Sequence, residues 1–348
     1  MEKQISIIIP TYNMENYIGK CLDSLIIPEF DEVEVLVVSD GSKDNSSAIA
    51  HEYAERYPYS IRVIDKENGN YGSCINAALP LCSGRYVRIL DADDSFDTAA
   101  FSEFVRALRG MNSDVILTKF LIVDEMGDVT DEPGFNRWNI KVDRTYIGKE
   151  LVKLLQRTYI PMHHITYKRD IFSQLNYIQS EGISYTDTQW SIIPLARCRS
   201  LIFKDITLYK YLVGRAGQTM AQFSTPKAIA TLLKIMRDIC SVYGTIQDPL
   251  SKTILQNLIT SRHIAFYMCA YNIKSQEAMN MIKEHEQFLN KEHPLLFELL
   301  NTTPCDDDPD YRFAKILRDS EYSLKIKLPL IDRLIMSFRA RMRHLFKK

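Results

Sequence analysis

The 348-residue chain has no apolar run approaching the roughly 18 residues that a membrane-spanning helix needs, so no segment reads as one. Its N-terminus, Met1-Glu2-Lys3-Gln4-Ile5, runs straight into a strand-like stretch without the charged-then-apolar leader of a secretory signal. Seven cysteines lie at 21, 74, 82, 198, 240, 269 and 305, an odd number with no Cys-x-x-Cys among them. These spacings do not resemble a zinc site or a disulfide framework, and the residues read as small buried hydrophobes in a reducing compartment, the cytoplasm. Two phosphate-cradling loops are also missing. No Gly-x-Gly-x-x-Gly turn follows the first strand, so a nicotinamide or flavin dinucleotide has no backbone cradle at the usual place. No Gly-x-x-x-x-Gly-Lys-Ser/Thr loop is present to hold a triphosphate. Disorder, collagen and coiled coil do not fit a composition of 46% hydrophobic and 25% charged residues.

Net charge is scarce as well, at −1 from 43 Lys/Arg and 44 Asp/Glu, but it is unevenly spread. Residues 325–348 carry eight Lys/Arg and one Asp, a net of +7, which leaves −8 on the other 324 residues. An acidic body with a basic tail is not the footprint of a nucleic-acid binder. In the tail, Ile331, Leu334, Ile335, Phe338, Met342, Leu345 and Phe346 form one helical stripe, with Arg333, Arg339, Arg341 and Arg343 around it. A basic amphipathic helix over about 328–346 fits either contact with a membrane surface or docking on the rest of the chain.

What is present is an alternation of strand and helix. Ile5 to Ile9, Val33 to Val38, Ile61 to Ile64, Tyr86 to Leu90 and Val115 to Leu117 are short β-branched runs of the kind buried on both faces of a parallel sheet. Helical stretches lie between them, at Glu15 to Leu25, Ser46 to Arg56 with Asp44 or Asn45 as cap, Tyr71 to Leu79 and Thr98 to Arg109. The pattern implies an α/β fold with a mainly parallel sheet flanked by helices. It loosens from about 125 to 220, where 124–148 reads as a long loop or small insertion containing Trp138. Thr225-Pro226 and Asp248-Pro249 are cap-plus-first-turn signals that open an all-helical appendage, in which Asp306-Asp307-Asp308 reads as a solvated turn. The expected division is a domain over 1–220 and a helical extension over 221–348.

Ligands of open parallel sheets bind outside the carboxyl ends of the strands. Here those ends read Pro10-Thr11-Tyr12-Asn13, Ser39-Asp40-Gly41-Ser42, Asp65-Lys66-Glu67-Asn68-Gly69-Asn70 and Asp91-Ala92-Asp93-Asp94. Each alone is ordinary turn chemistry, but four polar ends on one edge, three with Asp, mark a site. A carboxylate edge repels phosphate unless a divalent cation lies between. In an extended segment Asp91 and Asp93 point the same way, and two hard oxygens with a diphosphate and waters would complete a Mg²⁺ or Mn²⁺ shell.

Four stretches, Ser6–Asn13, Val37–Asp44, Asn68–Asn76 and Gly84–Asp94, taken in this order, resemble an inverting family 2 glycosyltransferase. The resemblance weakens toward residue 220 and does not cover the helical tail. It implies a GT-A fold and a nucleotide-sugar donor, most often UDP-linked. It also implies that Thr11 and Tyr12 pack beside the base, with Pro10 and Asn13 in the same motif. Asp40 would accept from the uracil N–H, Asn68 and Gly69 would shape the loop near the base, and Lys66 is a looser match. Asp91, with Ala92 beside it, would bind the ribose, and Asp93 the metal. The general base would be Asp187 in Glu181–Trp190, where Thr186 replaces the first acid of the usual Glu-Asp pair; an Asp there also caps a helix. Arg215 would reach the diphosphate or sit in a linker, and His163 and His164 fall where relatives contact the acceptor or support the site.

The expected activity is metal-dependent inverting transfer of a sugar to a glycan or lipid-linked hydroxyl, in bacterial surface-polysaccharide synthesis at the inner face of the membrane. A nucleotide-binding module that has lost activity is one rival, motivated by Thr186. A sugar-1-phosphate nucleotidyltransferase is the other, and it should carry a Gly-rich basic loop where Pro10-Thr11-Tyr12-Asn13 stands.

Overall fold

The computed structural model describes residues 2–133, 140–156, 159–218, 225–302 and 309–325. Trp138, Asp306-Asp307-Asp308 and the basic stretch 328–346 lie outside them. The described chain divides into two compact units, Met1–Leu154 with Ile160–Val213, and Leu155–Tyr159 with Gly214–Lys348.

In the first unit the apolar runs form β1 (Ile5–Thr11), β2 (Val33–Asp40), β3 (Ile61–Lys66) and β4 (Tyr86–Ile89), interleaved with α1 (Ile18–Asp23), α2 (Ser46–Arg56) and α3 (Asn70–Ala78). The strands pair in parallel in the order β3-β2-β1-β4. Every residue of β4 and all but one each of β1 and β2 are buried, as two-sided packing requires. At the start of α2 the Asp44 carboxylate accepts the Ser46 N–H at 3.0 Å, so the residue before the N-cap position supplies the cap.

Beyond β4 the sheet becomes mixed. It continues through β5 (Ser95–Phe96), α4 (Thr98–Leu108), β6 (Val115–Val123), β7 (Val129–Asp131), β8 (Thr145–Ile147), α5 (Gly148–Leu155), β9 (Ile165–Lys168), α6 (Asp170–Leu175), α7 (Asp187–Trp190) and β10 (Ser200–Leu212). The full order is β3-β2-β1-β4-β9-β6-β10-β5, with β7 on β6 and β8 on β10. β9 runs antiparallel to both β4 and β6, while β10 is parallel to β6 and breaks register near Thr207. The α/β sheet is as expected, but its second half mixes antiparallel pairs with the parallel pair of β6 and β10. β9 is four residues long and β10 alternates buried with half-buried positions, so neither presents the continuous apolar run that marks a parallel core strand.

The second unit is helical, with α8 (Pro226–Thr245), α9 (Pro249–Asn272), α10 (Gln276–Glu292), α11 (Pro294–Thr302) and α12 (Pro309–Asp319). Thr225 accepts from Ala228 N–H at 3.2 Å and Asp248 from Ser251 N–H at 2.7 Å, each followed by Pro at the first helical position. Its core holds a polar chain. Arg237 Nε–H donates to His285 Nδ1 (3.4 Å), so His285 carries its proton on Nε2 and donates to His263 Nε2 (2.7 Å). His263 then donates Nδ1–H to the Ile259 carbonyl (2.9 Å). Beside it Glu286 accepts from Arg318 Nε (2.6 Å), Tyr267 Oη (2.6 Å) and Tyr322 Oη. Cys21, Cys74, Cys82, Cys198 and Cys240 are buried thiols. No helix among the described residues is long and apolar enough to cross a membrane.

Candidate active site

The polar ends of β1 to β4 come together at one edge of the sheet. Thr11 is buried at the end of β1 opposite Ser39, and Pro10 lies opposite Val38. Tyr12 is 45% exposed. Asn13 adopts a left-handed φ of 53° and ties the first two loops together, donating its N–H to Ser42 Oγ (3.2 Å) and accepting the Lys43 N–H (2.8 Å).

Asp40 is almost fully buried, yet its Oδ1 meets three donors: Lys66 Nζ at 2.8 Å, the Gly69 N–H at 2.9 Å and Ser73 Oγ at 3.4 Å. Asn68 Nδ2 donates to the Asp40 carbonyl (3.0 Å). A Cβ on Gly69 would stand 2.7 Å from Ser73 Oγ, so the close approach depends on glycine. These contacts convert a buried carboxylate, costly when alone, into a rigid acceptor walled by Lys66, Asn68 and Gly69.

After β4 the chain does not stay extended. The Asp94 N–H donates to the Asp91 carbonyl at 3.0 Å, closing a turn through Ala92 and Asp93. The alternation that would point Asp91 and Asp93 the same way is lost, and the turn brings Asp91 and Asp94 together instead. Asp91, Asp94 and His163 each offer a ligand atom within 4.8 Å of the others; Asp93, half-buried, is not in that group. Asp94 is committed elsewhere, since its Oδ2 accepts from Tyr209 Oη (2.5 Å) and its Oδ1 from the Leu212 N–H (2.7 Å). Burial, then the charges of Asp93 and Asp91, push its carboxyl well above the usual range. Such a crowd of hard oxygens suits Mg²⁺ or Mn²⁺.

Helix α3 joins this edge to Asp187. Tyr71 Oη donates to Asp91 Oδ1 at 2.8 Å. Gly72 lies so close to the 179–182 loop that a Cβ would stand 2.0 Å from the Ser180 carbonyl oxygen. Asn76 clamps the same loop, donating Nδ2–H to the Gln179 carbonyl (2.9 Å) and Glu181 Oε1 (2.8 Å) and accepting the Gln179 N–H (2.8 Å). The Gly182 N–H donates to the Gly69 carbonyl (2.8 Å). The loop then passes through Tyr185, an aromatic residue held at φ 65°, and buried Thr186, to Asp187 at the first position of α7. The Asp187 charge reaches both Tyr71 and Tyr211, whose phenols are raised by burial first and then by the surrounding carboxylates. Tyr211 feels Asp94, Asp91, Asp93 and Asp187 at once, so the four carboxylates lie within electrostatic reach of one phenol.

The far wall is built on Arg88, fully buried in β4, which donates to Thr118 Oγ1 (3.0 Å), Thr166 Oγ1 (2.9 Å) and the His163 carbonyl. Burial lowers its pKa to about 9. His163 stacks near Tyr211, with centroids 4.5 Å apart, and burial, aided by the Arg88 charge, pulls its pKa down to about 3. His164 is fully buried and donates Nδ1–H to the Thr118 carbonyl (2.7 Å). The first unit thus gathers Asp40, Lys66, Asn68, Gly69, Asp91, Ala92, Asp93, Asp187 and His163 around α3 and the β4 turn. Arg215 belongs to the other unit, where its guanidinium donates to the Ala216 carbonyl (3.2 Å). Tyr71, Asn76, Arg88, Asp94 and Tyr209 went unread in the sequence. Tyr71 and Asn76 lie inside the Asn68–Asn76 motif and Arg88 and Asp94 inside Gly84–Asp94, so the motifs carried the signal although no role was read for these four.

The description "Glycosyl transferase family 2" matches residues 6–175. The uncharacterized glycosyltransferase MG025 of Mycoplasma genitalium is 41% identical over 245 residues, 69% of this chain and 78% of the relative. Other curated relatives are matched over 60%, 36% and 38% of their lengths, so the chain spans less than two thirds of each. Among solved structures, S. aureus TarS residues 1–349, in complex with UDP-GlcNAc, superposes with a TM-score of 0.55 at 19% identity, covering 94% of this chain and 95% of that one. The mannosyltransferase PcManGT of Pyrobaculum calidifontis, in complex with GDP-Man and Mn²⁺, gives 0.53 at 17% identity, covering 92% and 85%. The shared fold, the strand-end motifs and the extent of the MG025 match agree: the chain belongs to glycosyl transferase family 2.

Proposed function

We propose that the protein is a metal-dependent, inverting glycosyltransferase that moves a sugar from a nucleotide-diphosphate donor, UDP-linked, to a hydroxyl of a glycan or lipid-linked acceptor. The observation that carries this reading is the convergence on α3 of the Asp40 pocket, the Asp91–Asp94 turn and the loop ending in Asp187. The nucleotide sugars bound to TarS and to PcManGT, and the Mn²⁺ of the latter, support it. Residues 1–220 form the donor-binding and catalytic domain in this reading, and 221–348 a helical extension whose basic end contacts the inner face of the membrane during surface-polysaccharide synthesis.

Asp40, with Thr11, Tyr12, Asn68 and Gly69, holds the base, and Pro10 and Asn13 brace that wall. Asp91 takes the ribose, and Asp93 with Asp91 holds Mn²⁺ or Mg²⁺. A bound divalent cation supplies charge neutralisation for the departing diphosphate. Asp187 accepts the proton of the acceptor hydroxyl as that oxygen bonds to the anomeric carbon and the carbon–phosphate-oxygen bond breaks. The products are an inverted glycoside, a nucleoside diphosphate and a proton on Asp187. His163 lines the acceptor side, and His164 supports it.

The test is nucleoside-diphosphate release from a panel of UDP- and GDP-sugars with Mn²⁺ and with EDTA. Release from a UDP-sugar that EDTA abolishes is expected. Release indifferent to EDTA would contradict the metal role, and absence of both release and nucleotide binding would favour the inactive binding module.

A further inference from the structure

We propose that Tyr71 is a positioning residue of the donor site, its phenol fixing the orientation of the Asp91 carboxylate and thereby setting nucleotide affinity. The inference rests on the donor-site reading above and deepens it. Tyr71 is held from both sides. Asn70, immediately before it, is in the left-handed region at φ 66°, and Gly72, immediately after it, is pressed against the Ser180 carbonyl with no room for a Cβ. The ring therefore has little freedom to leave, and its hydroxyl meets Asp91 Oδ1 at 2.8 Å.

Met162 Sδ lies 3.4 Å from the same hydroxyl, but a phenol has one proton, and a carboxylate is a far stronger acceptor than a thioether. The bond to Asp91 is the one that holds. The Asp91 main chain is pinned separately, by the Asp94 N–H on its carbonyl and by the Tyr209 hydroxyl, which accepts its N–H at 3.2 Å. Tyr71 thus acts on the side chain, and it acts from the helix whose N-cap residue Gly69 donates its N–H to Asp40 and whose Asn76 clamps the loop leading to Asp187. A carboxylate fixed before the ligand arrives gives up less rotational freedom when it binds, so removing the phenol should weaken donor binding.

The experiment is a double-mutant cycle on UDP binding, measured by calorimetry in Mn²⁺ with full-length wild type, Tyr71→Phe, Asp91→Ala and the double variant. Phe keeps the ring and its packing, and melting temperatures report whether each variant folds. A phenol-to-carboxylate bond of this kind leads us to expect a roughly tenfold weaker UDP complex in Tyr71→Phe at an unchanged melting temperature. In the Asp91→Ala background, which leaves the phenol no acceptor at this position, the Tyr71→Phe effect should vanish. Tyr71→Phe binding UDP as tightly as wild type, or weakening it equally with Asp91 removed, would overturn the positioning role. Failure of wild type to bind any of UDP, GDP or CDP would instead overturn the donor-site reading on which the role rests.

Discussion

Asp94 and Glu286 are buried alike, at 2% and 4% exposure, but their surroundings are opposite. Glu286, in the helical unit, meets the Arg318 guanidinium at 2.6 Å and two tyrosine hydroxyls, so its charge is balanced within the fold. Asp94, at the sheet edge, accepts only neutral donors and feels the like charges of Asp93 and Asp91. Among the described residues no ion pair is made to it. A carboxylate that a protein uses for stability is given its cation by the chain, as Glu286 is by Arg318; Asp94, given only neutral donors and crowded by like charges, has the surroundings of a functional site.

The comparison can be broken or sharpened from both sides. On the site side, Asp187→Asn should cut turnover by a factor on the order of 10²–10⁴ while leaving UDP affinity nearly unchanged, because only the proton acceptor is lost. Steady-state rates that match wild type would remove Asp187 from its proposed role. On the structural side, Glu286→Ala leaves the Arg318 charge buried and unbalanced and should cost about 3–5 kcal/mol of stability, read from denaturant unfolding. A loss below about 1 kcal/mol would mean that the two carboxylates do not differ in the way described.

A smaller effect separates the regions through ligand linkage. UDP with Mn²⁺ at about 100 times its dissociation constant should stabilise the protein by about 2.7 kcal/mol, and by the same amount in Glu286→Gln, whose defect lies elsewhere. Stabilisation lost in Glu286→Gln would couple the regions. The smallest effect is that of acid. Burial holds His263 neutral with a pKa pulled down to about 4, against about 6.5 in the unfolded chain. Between those values the unfolded chain binds more protons, so stability rises with pH across the window and is lost as pH falls from about 6.5 toward 4. Melting temperature from pH 7.5 to 5 should fall, and His263→Leu with His285→Leu should make the fall shallower. An unchanged slope in that variant would assign the effect to other groups.

Much of the fold and part of the site could be read before any coordinates. Ser46–Arg56 is the helix that its spacing predicts, and the Thr225 and Asp248 caps sit where their prolines place them. Asp40 at the end of β2 and Asp91 just past β4 reach the same edge of the sheet, with β1 between them, because burial of the β-branched runs sets the register of β1, β2 and β4. What could not be read depends on contacts distant in the chain. The Asp91–Asp94 turn breaks an alternation that the residue types alone cannot reveal. Arg88 looks like an exposed strand residue until β9 and β6 close around it with Thr166 and Thr118. Tyr71 gains its meaning only from the close approach of Gly72 to Ser180, more than a hundred residues away in sequence.

The most direct test of the central claim is calorimetric titration of UDP, GDP and CDP into the full-length protein with and without Mn²⁺, repeated on Asp93→Ala. The account predicts UDP binding that requires the metal and is weakened in Asp93→Ala. Binding of UDP with equal affinity in EDTA and in Asp93→Ala, or binding of no nucleotide by folded protein, would contradict it.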